Sequence, residues 1–436
     1  MASTRLDRTP SSASNPTKFT ISFWFKRTKL GADQQLFGQQ ESSYFRVYLN
    51  SSNELRVYSG TGSMHLKPTG LFVDPNAWYH FYLSIDTTQG TASDRAELRI
   101  NGKEPVLTTS DYPSQNSNLP IFNTSKHCIG GGSSGSDYFD GYISHFHIVD
   151  GSNIAYTQFG SVDSTTGNWK INTSPTVASF GTNGFTILKD GSTITDQSPN
   201  SNNWTVGTGT LTAAKDCPSD NFATLNPLIK MPNLAFSNAN LRFADTQGTP
   251  WTSGFSSLGI SSGKFYIEAQ QTAGSYGVLG IVNAATIYMN GAASNNGIGT
   301  SVIGTPCAVY YGNDGHKKVN GTETSFGASY GSGDYIGIAV DCTNNKIYWS
   351  KNGSWQASGD PSAGSNGVSI DANTTYLVGC SGYGGTDISW NFGNGVFTTT
   401  ALTGTTYSPT VGNTSAVFKY PVPTNYKALT TKGLNA

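Results

Sequence analysis

The side chains best suited to contact a ligand are aromatic residues set among glycine, serine and aspartate. Trp251, Tyr276, Tyr311 and Tyr383 have such neighbours. The glycine-rich loops around them include Thr272-Ala-Gly-Ser-Tyr-Gly277, Gly312-Asn-Asp-Gly315 and Ser381-Gly-Tyr-Gly-Gly385, and Asp314 adds a carboxylate. An aromatic face stacks on a sugar ring or anchors a protein interface, and small neighbours leave room for the partner. The plainer role for the same residues is to cap the ends of a core. Trp24, Trp78, Trp349 and Trp390 fall in strand-like runs and are expected inside.

Covalent chemistry has little to work with. The chain has no Gly-x-Ser-x-Gly on a strand-to-helix turn, its Gly-Ser strings falling in loops, and no dinucleotide fingerprint. Gly130-Gly-Gly-Ser-Ser-Gly135 lacks the lysine and helix of a phosphate loop. His145-x-His147 is a metal-like spacing, since alternate residues of a strand share a face, and His127 with Cys128 could lie nearby. No fixed set of three or four ligands is visible, so a polar strand face is the favoured reading and the metal question stays open.

The elements that must position these residues are strands. Tyr44-Phe-Arg-Val-Tyr-Leu49 and Glu54-Leu-Arg-Val-Tyr58 alternate about a polar turn. Trp78–Asp86 with Ala96–Gly102, and Asp334–Asp341 with Lys346–Gly353, share one grammar: a strand ending in Asp, a polar turn, a second strand and Asn-Gly. The composition agrees: 436 residues with 51 glycines, 52 aromatics, 12% charged residues and only six glutamates suit strands and turns better than helices. The expected fold class is all-β, with two antiparallel β-sandwich or jelly-roll domains in tandem. The expected boundaries are 1–160, a semi-ordered β-rich connector at 161–224, and 225–436 with an extended tail.

Net charge is −1 and no basic run exceeds two residues, so a nucleic-acid partner is not expected. No apolar run approaches a membrane span, and the opening ten residues lack the apolar core of a secretion signal. Five scattered cysteines without a CxxC are expected as thiols; spacing alone does not join Cys342 to Cys380.

The first block resembles the LamG-like branch of the concanavalin A-like jelly rolls, at Phe19-Thr-Ile-Ser-Phe-Trp-Phe-Lys26, Trp78-Tyr-His80, Arg99-Ile-Asn-Gly102 and Phe139-Asp-Gly-Tyr-Ile-Ser144. The second resembles an SPRY domain, at Ser262-Gly-Lys-Phe-Tyr-Ile-Glu268, Gly333–Asp341, Ile347-Tyr-Trp-Ser-Lys-Asn-Gly353 and Trp390-Asn-Phe-Gly393. Together they are similar to virion proteins of tailed bacteriophages, which share leads like Arg8-Thr-Pro-Ser11, joints like Asn221-Phe-Ala-Thr-Leu-Asn-Pro227 and tails like Pro423-Thr-Asn-Tyr-Lys-Ala-Leu429.

That resemblance implies a non-enzymatic tail-fibre or receptor-binding protein on the virion surface, assembled in the host cytoplasm. Its implied partners are other virion proteins and a host cell-surface glycan or protein. A homotrimer is implied, without membrane insertion. The alternative is a capsid-decoration, head-fibre or other structural role without a specific ligand; the lack of heptads or collagen triplets leans that way. Some relatives of the jelly roll are glucanases, which use a Glu-x-Asp-x-x-Glu strand to hold paired carboxylates. That string is absent: Glu41, Glu54, Glu97 and Glu104 have no such partner. No cofactor is expected beyond calcium, which the LamG-like resemblance alone implies, with Asp86, Asp94, Asp137, Asp140 and Asp150 as oxygen donors.

Overall fold

Strict alternation decides the first unit. In Tyr44–Leu49 and Leu55–Ser59 the buried positions are Phe45, Val47, Leu49, Leu55, Val57 and Ser59, and the residues between them face outward. In this computed structural model the described residues are 3–14, 17–40, 44–60, 64–189, 191–231, 234–246, 251–287, 297–298, 305–397 and 400–435. The chain divides into two compact units, residues 1–213 with 217–219, and residues 214–216 with 220–436.

Among the described residues two large antiparallel sheets build the first unit, beside a two-stranded ribbon of Gly160–Val162 and Trp169–Ile171. One runs Thr205–Thr208, Arg5–Arg8, His127–Ile129, Gln34–Gln40, Tyr44–Leu49, Leu55–Ser59, Met64–Pro68, Leu107–Asp111. The other runs Phe185–Ile187, Gly141–Asp150, Lys18–Arg27, Tyr79–Asp86, Ala96–Ile100. Between them lies an aromatic core in which Phe23 stacks on Phe81 at 4.8 Å and on Phe146 at 4.6 Å. The outer face of the second sheet is also buried. Tyr82 packs against Tyr156 and Phe159, and His80 against Trp169.

The segment expected as a connector is therefore woven into this unit. Phe185–Ile187 and Thr205–Thr208 each add an edge strand, and Trp169 covers the back of a sheet. Its loose composition hid short strands that depend on distant partners.

The second unit is also a pair of sheets. Six strands run Thr252–Ile260, Tyr376–Gly382, Val278–Asn283, Cys307–Tyr311, His316–Val319, Thr322–Ser325. The facing sheet is centred on Asp387–Asn391, Lys264–Ala273, Tyr335–Asp341 and Lys346–Lys351, with Lys427–Ala428 from the tail pairing parallel to Lys264–Ala273. Trp349 and Trp390 are fully buried in the core between the sheets, as expected, whereas Trp24 is buried outside the first core, against His80. The five cysteines form no disulfide.

The two matching hairpins share more than pattern. Asp86 takes an ion pair from Lys18 at 2.9 Å and a hydrogen bond from Gln89 of its own turn. Asp341 takes the same pair from Lys264 at 2.9 Å and hydrogen bonds from Asn344 of its turn. At the opposite ends, Asn101 Oδ1 accepts from the His80 N–H at 2.7 Å and Asn352 Oδ1 from the Tyr335 N–H at 2.9 Å. Both asparagines and the glycines after them have positive φ (50° and 73°, 48° and 85°), which favours Asn-Gly.

Candidate functional site

Strand register brings the candidate aromatics together. In the six-stranded sheet, Tyr376–Gly382 lies between Thr252–Ile260 and Val278–Asn283, with Gly382 opposite Thr252 and Ser381 opposite Val278. Trp251 precedes the first of these strands, Tyr383 follows the second, and Tyr276 leads into the third. All three leave the same end of the sheet. Their ring centroids are 5.5 Å apart for Trp251–Tyr383, 5.5 Å for Tyr276–Tyr383 and 6.5 Å for Trp251–Tyr276.

Tyr276 stands nearly perpendicular to both partners, at 84° and 89°, and is 42% exposed. Trp251 and Tyr383 are half-buried, and Trp251 packs against the cluster containing Phe255 and Ile298. The cluster thus has a fixed base and an open rim. Gly384 and Gly385 have positive φ, and a side chain at Gly384 would meet only the Tyr276 ring, at 3.7 Å. The exposed Tyr276 ring offers aromatic surface of the kind on which a flat, partly apolar molecule stacks.

Tyr311 and Asp314 lie at this end of the sheet too, but outside the three-ring cluster. Tyr311 pairs across the strands with Val278 and rests half-buried on the core, where burial, aided by the Glu323 and Asp314 charges, pushes its phenol up to about 12. Asp314 is exposed and caps its own turn, accepting the His316 N–H at 2.9 Å. The structure sets His316 and Glu323 beside Asp314, residues the sequence alone did not single out. Asp-x-His was visible as a spacing, but Glu323 arrives only through hairpin register.

In the first unit the reactive-looking side chains are engaged elsewhere. Ser22 Oγ lies 2.9 Å from His80 Nε2, a serine–histidine contact that could suggest a nucleophile and its base. The Trp169 Nε1–H donates to His80 Nδ1 at 3.0 Å. Indole nitrogen is only a donor, so Nε2 carries the imidazole proton and donates to Ser22. That tautomer cannot accept the serine proton, and burial drives the His80 pKa down to about 3.

His127 is similarly committed. Its Nε2 accepts the Phe122 N–H, and its Nδ1 lies 2.8 Å from the Ser125 carbonyl. His145 sits at a bulge with φ 49° and its Nδ1 meets Ser144 Oγ, while His147 Nδ1 meets Thr186 Oγ1. The bulge breaks the alternation that the His145-x-His147 expectation assumed.

Of the carboxylates, Glu54 bridges Lys67, Arg56 and Asn50, which hold it down at about 2, and Glu97 pairs with Arg99. A general acid requires a shift in the other direction. Glu41 lies outside the described residues. Among the aspartates, burial opposes ionisation of Asp86, but Thr88, Gln89 and Lys18 pull its pKa below the usual range. Asp137 pairs with Arg46, and Asp150 accepts the Asn183 N–H.

Residues 5–155 match the family profile described as Concanavalin A-like lectin/glucanases superfamily, Laminin_G_3. The matched residues all lie in the first unit, whose paired antiparallel sheets are of the kind that profile describes. Solved structures similar to this chain include two of unlike origin. The SPRY domain of human HERC1 is 17% identical, covers 38% of this chain and 96% of its own, and has a TM-score of 0.30. The stonustoxin structure is 12% identical, covers 44% of this chain and 34% of its own, and has a TM-score of 0.29. No curated protein matches the sequence. A lectin-like β-sandwich is a scaffold for binding loops.

Proposed function

We propose that this protein is a non-enzymatic binding protein on the surface of a tailed-bacteriophage particle, and that Trp251, Tyr276 and Tyr383 engage a host cell-surface glycan. The three-ring cluster carries the reading: a braced aromatic floor with one exposed ring suits the apolar face of a sugar. The virion setting rests on the resemblance of Arg8-Thr-Pro-Ser11, Asn221–Pro227 and Pro423–Leu429 to phage proteins. By the same resemblance the protein works as a homotrimer beside other virion proteins and is assembled in the host cytoplasm.

The test is binding of the purified full chain to host cells and their polysaccharide, with inhibition of phage adsorption. Tyr276→Ala, at an exposed ring, is expected to weaken glycan binding about tenfold, ~1.4 kcal/mol, without altering the fold. Equal binding by wild type and Tyr276→Ala would overturn the site. Absence of binding, with the protein mapped to the capsid shell, would favour the decoration role. Release of reducing sugar would overturn the non-enzymatic reading.

A further inference from the structure

We propose that Asp314, His316 and Glu323 form a divalent transition-metal site of the Zn²⁺ class, separate from the aromatic cluster. One ligand atom from each residue lies within 4.8 Å of the other two, the only such three-residue group among the described residues. Glu323 Oε1 is 3.2 Å from His316 Nδ1, and Asp314 Oδ2 is 3.7 Å from the same nitrogen. A tetrahedral ion with bonds of ~2.0–2.1 Å holds its ligands ~3.4 Å apart, so the two separations from His316 are within a few tenths of an ångström of that value, and the Asp314 and Glu323 oxygens, within 4.8 Å of each other, close on the ion by turning exposed side chains.

The backbone builds the arrangement. Gly315, at φ +76°, lets the chain turn where a Cβ would come within 2.2 Å of the Gly327 carbonyl oxygen. Asp314 uses Oδ1 to accept the His316 N–H at 2.9 Å, leaving Oδ2 toward the imidazole, where the Asn313 amide reaches it at 3.3 Å. In the next hairpin Lys318 pairs with Glu323 and His316 with Ser325. His316 and Glu323 are thus diagonal neighbours on one face, within reach of long side chains.

The donor set selects the ion. One imidazole nitrogen with two carboxylates suits Zn²⁺ or Co²⁺, whereas Ca²⁺ takes six to eight oxygens. The three side chains are 37%, 39% and 44% exposed, so water can complete the shell. Two carboxylates gathered about one imidazole make a donor set that a divalent cation complements. The basic side chain facing the group is Lys318, across from Glu323, since Lys317 lies over the Phe326 ring at 5.1 Å.

The experiment is titration of the chelator-treated full chain with ZnCl₂, alongside CaCl₂, with no glycan present. One equivalent of Zn²⁺ is expected, and tenfold or greater weakening in both His316→Ala and Glu323→Gln. Circular dichroism should report an unchanged fold, since Glu323 is exposed and His316 only half-buried. Co²⁺ in place of Zn²⁺ is expected to give visible absorption bands that His316→Ala abolishes. No stoichiometric Zn²⁺ binding, Zn²⁺ binding unaltered by either substitution, or a preference for Ca²⁺ would overturn the proposal. None of these outcomes depends on the aromatic cluster.

Discussion

Glu268 ties the C-terminal segment to the second sandwich, and its ionisation should be visible in stability. It is fully buried in the strand Lys264–Ala273. Its Oε1 accepts the Tyr420 N–H at 2.8 Å and the Tyr266 hydroxyl at 3.1 Å; its Oε2 accepts the Lys419 N–H at 2.9 Å and the Asn391 amide at 3.2 Å. Burial outweighs these four donors and raises the pKa from 4.5 to about 7. Between those values the native state holds a proton that the unfolded chain has released. The contribution of Glu268 to stability is therefore fully present below pH 4.5, is lost as pH rises to 7, and is constant beyond. The shift is worth about 3 kcal/mol.

Glu268→Gln removes the titration but turns an amide donor toward an N–H, costing about 1–3 kcal/mol at low pH. The variant should therefore be the less stable protein at pH 4.5, with the difference shrinking by about 3 kcal/mol at pH 8. Denaturant unfolding across that range, with hydrogen exchange at Lys419 and Tyr420 corrected for intrinsic rates, reads both the size and the place. A wild-type slope that Glu268→Gln leaves unchanged would refute the reasoning.

The first unit should respond to pH in the opposite sense. His80, His127 and His147 are buried and their pKa values lowered to about 3, 4 and 3, so stability is lost as pH falls from 6.5, roughly 3 kcal/mol for His127 alone; tryptophan fluorescence during acid titration should report it, and a first unit stable from pH 7 to 4 would count against it. Gly102→Ala places a methyl group 2.3 Å from the Trp169 ring at φ +73° and should cost about 2–4 kcal/mol in urea unfolding, whereas Gly70→Ala, with nothing within 4 Å, should cost far less.

What the sequence shows and hides follows from the range of each interaction. The strands about Phe45, Val47 and Val57 are legible because their partners lie a few residues away across a turn. Trp251, Tyr276 and Tyr383 are legible as residue types in glycine-rich settings. Their contact is not, since it depends on pairing across more than a hundred residues between Thr252 and Gly382. Trp169 looked like connector and instead covers a buried histidine 89 residues earlier. Glu268 closes the SPRY-like run Ser262–Glu268, and nothing in that run signals its burial, because the backbone N–H groups of Lys419 and Tyr420 that bind it come from 151 and 152 residues away. Alternation marks which face a residue takes; it does not reveal whether a later segment will bury that face.

The twin hairpins separate scaffold from site. In both units a lysine opens the strand opposite a closing aspartate, and an asparagine clamps the far end through its own carbonyl oxygen. Each contact fixes register, because a one-residue slip would turn every inward side chain outward. Such a device is useful to any antiparallel sandwich and carries no ligand information, so its recurrence does not require the units to share a function. The differences lie where the strands stop. The first unit uses Trp169 and His80 to close over its outer sheet face. The second leaves one sheet end carrying an exposed tyrosine with two braced rings and, in the neighbouring turn and hairpin, two carboxylates with an imidazole. A rigid sheet with variable strand ends is the arrangement in which binding can change without cost to the core, and those strand ends are where substitutions should alter recognition before they alter stability.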